Sequence, residues 1–378
     1  MRTQRRLLRV GIVCPYSFDV PGGVQNHVLG LARYLRQAGH RPFVLAPGAL
    51  GPASEALDSN DFTTAGAAMP VRYNGSVARV NFGPLSAARV RRWIHRGKFD
   101  LLHIHEPITP SISLLALWTA EQPVVATFHT ATPRSRSMQL AGGVLRGAIE
   151  KIDAGIAVSE SARNVVVQHL GRDAVVVPNG IQFDDFARRR HLSDHPRLVF
   201  LGRLDEPRKG LDVLLAAAPL IMEARPDLEV VVAGQGSREL PEWCRNRGMI
   251  SVESKIALLA SADVFVAPHL ARESFGIVLL EAMASGVPVV ASELASFLDV
   301  LGLPQDESRL GEVFTPGDPR ALAAAVLQVL QRPNPLRIAR AQQTARRYDW
   351  SAVGATVVAV YRAALSAAPA QWAERNIG

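Results

Sequence analysis

The strongest constraint on this chain is its punctuation. Short apolar, β-branched runs recur along its length, and segments of helical pattern separate them. Continuously apolar strands of this kind are buried on both faces, and strands that alternate with helices build parallel sheets covered on both sides. A first series of strands is expected at Val10–Cys14, Phe43–Ala46, Leu101–His105, Val124–Phe128, Ile156–Ser159 and Val175–Val177. A second is expected at Leu198–Leu201, Val230–Ala233, Val264–Ala267 and Val287–Ala291, with Pro288 near a strand start, where proline is tolerated. Helices are expected at Gln25–Ala38, Leu211–Ala224 and Ile277–Ser285.

Around Ile181–Pro196 the pattern gives way to a polar stretch, Gln182-Phe-Asp-Asp-Phe-Ala-Arg-Arg-Arg-His191, read as a hinge. The 378 residues suffice for two ordinary domains, expected over 1–186 and 187–351. The expected fold class is α/β, with two doubly wound, Rossmann-like domains facing across a cleft. Ligands of such sheets bind at the carboxyl ends of the strands.

Composition narrows the partners. A net charge of +8 favours acidic ones: nucleic acid, anionic lipid or a phosphorylated substrate. Nucleic acid is disfavoured, because aromatics are few and do not interleave with the basic residues. No run of about 18 uncharged apolar residues appears, so no transmembrane helix is expected. The basic stretch Met1–Arg9 leads into the short run Val10–Cys14 without a cleavage-type sequence, so no signal peptide is expected. Two cysteines, Cys14 and Cys244, form no disulfide framework or metal cluster, which fits a reducing cytoplasm.

Three segments can carry chemistry. In Pro15-Tyr-Ser-Phe-Asp-Val-Pro-Gly22-Gly23-Val-Gln25, two glycines before a helix let backbone approach an anion at the helix N-terminus, although a plain strand-to-helix turn has the same look. In Gly202-Arg203-Leu-Asp-Glu-Pro-Arg208-Lys209-Gly210, Arg203 and Lys209 stand after a strand, where they can clamp a diphosphate leaving group; the bland alternative is a solvated charged loop. In Arg272-Glu273-Ser274-Phe275-Gly276-Ile277-Val-Leu-Leu-Glu281, Ser274 is the expected helix N-cap. Of Glu273 and Glu281 there, one carboxylate could bind a sugar and the other a ribose. The spacing G-x-G-x-x-G of dinucleotide folds is missing, which argues against a nicotinamide dehydrogenase.

His129 ends a strand and is a candidate for sugar contact or proton transfer. His103 and His105 alternate on one strand, but no third ligand at metal-site spacing is evident, so they are read as structural and no metal site is expected. No Asp-x-Asp is present, so a divalent cation is not expected to be held by a protein motif.

Together these segments resemble the retaining GT-B glycosyltransferases over nearly the whole chain. Glu273…Glu281 resembles their E-x7-E motif, and Val177-Pro-Asn-Gly180 and Gly202-Arg203 match two further signatures. The strings Cys14–Gln25, Tyr73-Asn-Gly-Ser-Val-Ala-Arg79, His103-Ile-His-Glu-Pro107, Asp205-Glu-Pro-Arg-Lys-Gly210 and Arg347-Tyr-Asp-Trp-Ser351 resemble, more narrowly, the actinobacterial phosphatidyl-myo-inositol mannosyltransferase family. The resemblance implies GDP-mannose as donor, phosphatidylinositol as acceptor, addition of a first mannose, and no tightly bound cofactor. It places the acceptor near Tyr16, Asp19, Gln25, Asn74 and Arg79. It places the donor on Gly23, Arg203, Lys209, Glu273 and the Ser274–Ile277 turn, with Glu281 at the ribose and His129 beside the transferred sugar. It implies transfer with retention by front-face attack, and a final helix over about 352–378 that returns to the first domain.

Two departures stand out. The segment between Gly236 and Ala262 is shorter than in that family, so Gly248-Met249-Ile250 is expected to replace the base-binding turn. Ala271-Arg272 stands where relatives carry glycines. A related enzyme using another nucleotide sugar, such as an inositol-phosphate N-acetylglucosaminyltransferase, and a non-catalytic lipid-binding relative are the alternatives.

The segment Leu85–Arg96 reads as a helix between Pro84 and Gly97. Val90, Trp93 and Ile94 form its apolar arc, and Arg89, Arg91, Arg92 and Arg96 lie on the remainder. The arc is expected to dock on the sheet. The arginines are expected to meet an anionic membrane, which would make the enzyme a cytoplasmic, peripheral protein of the inner leaflet.

Overall fold

The structure is a computed structural model that describes residues 7–20, 22–50, 57–73, 76–129, 142–191, 194–271, 273–303 and 308–375. The chain divides into two compact units, 1–180 with 350–378, and 181–349. Residues 181–186 thus lie with the second unit rather than the first. Ile181, Phe183 and Phe186 are buried in the second unit's core, and the Phe183 N–H donates to Asp349 Oδ2 at 3.0 Å. The polar look of Gln182–His191 concealed these two anchoring aromatics.

In the first unit β1 (Arg9–Val13), β2 (Arg41–Ala46), β3 (Phe62–Thr64), β6 (Leu101–His105), β7 (Val124–Phe128), β8 (Ile152–Ala157) and β9 (Val175–Val176) form one sheet in the order β3-β2-β1-β6-β7-β8-β9. All pairings are parallel. A separate antiparallel hairpin joins β4 (Met69–Tyr73) to β5 (Ser76–Val80). In the second unit β10 (Arg197–Leu201), β11 (Glu229–Ala233), β12 (Cys244–Asn246), β13 (Val264–Ala267), β14 (Val289–Ser292) and β15 (Glu312–Phe314) form a parallel sheet, ordered β12-β11-β10-β13-β14-β15. Both sheets are doubly wound. Their order reverses between β1 and β6 and between β10 and β13, and such switch points are where these folds bind ligands.

Several elements differ from expectation. β8 ends at Ala157 because Ser159 leaves the strand to cap the next helix, Glu160–Leu170, accepting from the Ala162 N–H at 3.2 Å. A strand absent from the expected series, β12, precedes Gly248. β12 was illegible because its residues Cys-Arg-Asn carry no apolar run, yet it pairs in register with Val230–Val232. Ser274 does not cap its helix. The N-cap of Ile277–Ala284 is Gly276 at φ 91°, where a Cβ would meet Phe297 Cδ1 at 2.8 Å.

The helix Trp350–Arg375 is long and apolar enough to cross a membrane by length and composition. Its inner face is nevertheless core. Trp350, Val353, Val357, Val358, Val360, Tyr361 and Ala364 pack with Val10, Ile12, Leu31 and Leu35 of the first unit. Gly30, Gly180 and Gly354 make this possible. A Cβ on Gly30 would collide with Trp350 Nε1, one on Gly180 would stand 2.6 Å from the Trp350 ring, and one on Gly354 would run into Tyr34. Trp350→Ala should therefore lower stability by about 3–5 kcal/mol, the usual range for a buried tryptophan. Gly30→Val should act in the same direction. Denaturant unfolding followed by circular dichroism checks both.

Candidate functional site

The second unit's switch point gathers charge. After β10, Gly202–Lys209 leads into a tight left-handed turn at Gly210, φ 71°. A Cβ there would strike the Pro268 carbonyl oxygen, so only glycine lets this loop lie against the segment after β13. The Leu270 N–H donates to the Arg208 carbonyl at 2.8 Å, which fastens the two loops together. That juxtaposition brings Lys209 Nζ to 2.8 Å from Glu273 Oε2, while His269 Nδ1 stands 3.0 Å from the same oxygen.

Burial by itself would raise the Glu273 carboxyl, but the Lys209 charge, aided by His269, outweighs it and holds the carboxyl well below the usual carboxylate range. Burial, with Lys209 nearby, pushes His269 down to about 4, so it stays neutral near pH 7. Arg203 pairs with a different carboxylate, Glu206. Its Nη1 is 2.9 Å from Glu206 Oε1, and Arg208 Nη2 takes the other oxygen at 2.8 Å. Glu206 is the residue that sequence reading missed, because within Asp205-Glu-Pro-Arg-Lys-Gly210 only the cations invite an anion.

Glu281 stands apart from the Lys209 cluster's bonds. It is buried on Ile277–Ala284, and its Oε1 lies 2.5 Å from Lys255 Nζ of the helix Val252–Ala260. Phe275 is buried against Tyr348 at 5.9 Å between ring centroids, while Ser274 and Ile277 are half-buried. Gly248 joins the neighbouring strand end, its carbonyl accepting from the Gly234 N–H at 2.8 Å. Met249 is exposed, and Ile250 packs on the core. Arg272 lies outside the described residues.

In the first unit the loop after β1 is built from its own side chains. Gln25 is buried and spends its amide on the carbonyls of Ser17 at 3.0 Å and Val20 at 3.1 Å. Tyr16 bridges Val80, and the Ser17 N–H donates to the Arg79 carbonyl at 2.9 Å, so Arg79 stands over the loop. Asp19 accepts from the Ala49 N–H at 2.9 Å and from Ser17 Oγ at 2.7 Å, which hold its carboxyl below the usual range. Tyr16, Asp19, Gln25 and Arg79 are therefore brought together. Asn74 lies outside the described residues. Gly23 opens the helix Gly23–Gln37, and a Cβ there would meet open space.

Beside this loop, at the ends of β6 and β7, three imidazoles meet. His27, His105 and His129 are buried, and a ring nitrogen of each lies within 4.8 Å of the others. His105 Nδ1 is 2.9 Å from His129 Nε2, and the rings stack. Glu106, in the left-handed region at φ 49°, takes the His129 backbone N–H on Oε1 at 2.8 Å. His103 bonds Tyr361 Oη and Thr127 Oγ1. Burial pushes His27 down to about 4 and His103 to about 3, and holds His105 and His129 well below the usual histidine value. The distant His27 could be joined to this cluster only by the fold.

Two parallel, doubly wound sheets are the architecture of the GT-B glycosyltransferases, and the family models assign the chain to that class. The family model for Glycosyltransferase Family 4 matches residues 21–185, and that for Glycosyl transferases group 1 matches 195–332. A glycosyltransferase from Rickettsia africae superposes at TM-score 0.72 and 18% identity, over 94% of this chain and 98% of that one. Anabaena HepE, solved with UDP and glucose, superposes at 0.70 and 18%, over 94% and 99%.

Curated relatives are closer. The phosphatidyl-myo-inositol mannosyltransferases of Propionibacterium freudenreichii and Mycolicibacterium smegmatis are 48% and 46% identical, each over 94% of this chain and over 95% and 93% of their own lengths. The chain belongs to the phosphatidyl-myo-inositol mannosyltransferase family.

The Lys209–Glu273 pair makes a pH-dependent prediction. A carboxyl depressed on folding gives stability that is present above its unfolded value, near 4.3, and is lost as pH falls below it. Lys209→Met should cost about 3 kcal/mol at pH 7, because it leaves the half-buried Glu273 carboxylate with only the neutral His269 beside it. That deficit should shrink as the pH is lowered from 5 to 3. Paired unfolding curves at each pH measure it.

Proposed function

We propose that this enzyme transfers mannose from GDP-mannose to phosphatidyl-myo-inositol with retention, as the first mannosylation of that lipid. The observation that carries this reading is near full-length identity of 46–48% to enzymes named for the transfer. In the proposed reaction the bond from the anomeric carbon to the diphosphate oxygen breaks, and an inositol hydroxyl oxygen attacks that carbon on the same face. The hydroxyl proton passes to the departing diphosphate, giving mannosyl-phosphatidylinositol and GDP.

The diphosphate gains charge as the bond breaks, and Lys209 and Arg203 supply opposing charge at a strand end. Glu273 holds Lys209 in place, Gly248–Ile250 meets the base, Glu281 the ribose, and the open first turn at Gly23 admits a phosphate. Tyr16, Asp19 and Arg79, with Asn74, receive the inositol phosphate, on a loop whose shape Gln25 holds through the Ser17 and Val20 carbonyls. No resident cofactor is assigned, and a divalent cation would arrive with the nucleotide.

Radiolabelled GDP-mannose with phosphatidylinositol vesicles should give a lipid heavier by one hexose. UDP-N-acetylglucosamine in place of GDP-mannose should give none, and the reverse outcome would favour the N-acetylglucosaminyl reading. Lys209→Ala should lower turnover at saturating donor by about a hundredfold, the typical cost of removing one such stabiliser.

The acceptor's acyl chains stay in a bilayer, so we assign the inner leaflet of the plasma membrane as the working surface. The helix Pro84–Gly97 supports this. Val90 and Ile94 are buried in the first unit's core, and Arg89, Arg91, Arg92 and Arg96 are exposed. Arg89 also anchors to the Ala65 carbonyl at 3.0 Å, which fixes one end of the stripe. Each arginine near an anionic leaflet contributes roughly 1 kcal/mol. The fourfold serine variant should lose co-sedimentation with anionic vesicles while keeping its circular dichroism spectrum, and high salt should release the wild type.

A further inference from the structure

We infer that His105 is a positioning residue that fixes His129 as the Nδ1–H tautomer, so that His129 meets its ligand as a hydrogen-bond donor and not as a base. The role of His129 toward a sugar rests on the function proposed above; the tautomer assignment does not.

The argument is one of hydrogen-bond satisfaction. Only one proton can lie between His105 Nδ1 and His129 Nε2, which are 2.9 Å apart. Both rings are buried, and burial keeps both neutral. A neutral imidazole carries one N–H and one bare nitrogen. The deciding atom is His105 Nε2, which is buried and has no hydrogen-bond partner among the described residues. If His129 donated from Nε2, His105 would have to carry its own proton on Nε2, as an orphaned buried N–H. If His105 donates from Nδ1, its Nε2 is only a bare lone pair. Orphaned buried N–H groups are rarer than under-satisfied acceptors, so the second arrangement wins. His129 Nε2 then accepts, and its proton sits on Nδ1.

His105 is itself held. Its carbonyl accepts from Ser113 Oγ at 2.7 Å, and its ring stacks on His103 at 4.4 Å between centroids. His103 is tied through Nδ1 to Tyr361 Oη at 2.7 Å. His27 packs edge-on against both His105 and His129, at 5.4 and 4.9 Å. Three imidazoles would also suit a divalent transition ion. However, His105 Nδ1 and His129 Nε2 are taken up with each other at 2.9 Å, so an ion held by the three rings would have to break that hydrogen bond, and the zinc content of the purified protein tests this directly.

The test begins with wild-type protein labelled with 15N at histidine. The expected spectrum shows His129 Nδ1 in the protonated range and Nε2 in the unprotonated range, unchanged from pH 8 to 6. A protonated Nε2, or a zinc content near one equivalent by elemental analysis of the purified protein, would overturn the inference. His105→Asn retains an N–H close to the Nδ1 position, whereas His105→Phe keeps a ring and removes the donor. The Phe variant should show mixed His129 tautomers and about tenfold lower turnover with an unchanged donor KM. The Asn variant should restore both the tautomer and most of the turnover. A Phe variant with a pure Nδ1–H tautomer would also overturn it. Intact tautomers with no mannosyl transfer in wild type would instead count against the proposed function alone.

Discussion

The first unit closes on one indole. Trp350 fills space that a single methyl on Gly30 or Gly180 would occupy, and its ring stands edge-on to His27 at 5.0 Å. His27 in turn packs against His105 and His129. The return of the last helix and the shape of the imidazole cluster are thus one packing problem, solved by two glycines. Tyr361, eleven residues further along the same helix, reaches His103 from the other side. A helix that could pass for a membrane span by composition is consumed in supporting a polar cluster at two strand ends.

The second unit solves a different problem, which is how to keep cations poised in a half-buried loop. Arg203 and Arg208 share Glu206, and Lys209 pairs with Glu273. Paired in this way the cations are held in place after a strand end, so a negative charge that develops there meets donors already oriented. The cost of burying this charge is met by pairing, and the geometry depends on Gly210, where no side chain fits against the Pro268 carbonyl.

The sheet strands were legible wherever apolar runs bury on both faces, as at Val10–Val13 or Val230–Ala233, because burial on both faces forces that composition. β12 and the Met69–Val80 hairpin were not, since edge and excursion strands need no such run. The glycine turns and the cations of Gly202–Gly210 were legible as chemistry. How they pair was not, because Glu206–Arg203 and Lys209–Glu273 are set by loop paths, and Glu206 drew no notice in the sequence. Ser274 looked like a cap and is not, because Phe275 is drawn into the core and the chain must turn at Gly276 instead. His27 carried no signal at all. It is one residue on the buried face of a helix, and only the sheet order places it beside strand ends almost eighty and a hundred positions away.

The imidazole cluster also constrains the proposed chemistry. A general base must accept a proton and hold it through the transition state, with an acid strength near the working pH. His27, His103, His105 and His129 all lie where burial disfavours the charged form, and each lowers another's affinity for a proton or is lowered by one. A proton placed on any of them would be lost more readily than from a free imidazole, so none is suited to take it from an acceptor hydroxyl. In the proposed transfer the departing diphosphate is a better destination, because its basicity grows as the glycosidic bond breaks. The cluster then contributes alignment: a neutral donor on a rigid support, with nothing to reorganise when charge develops.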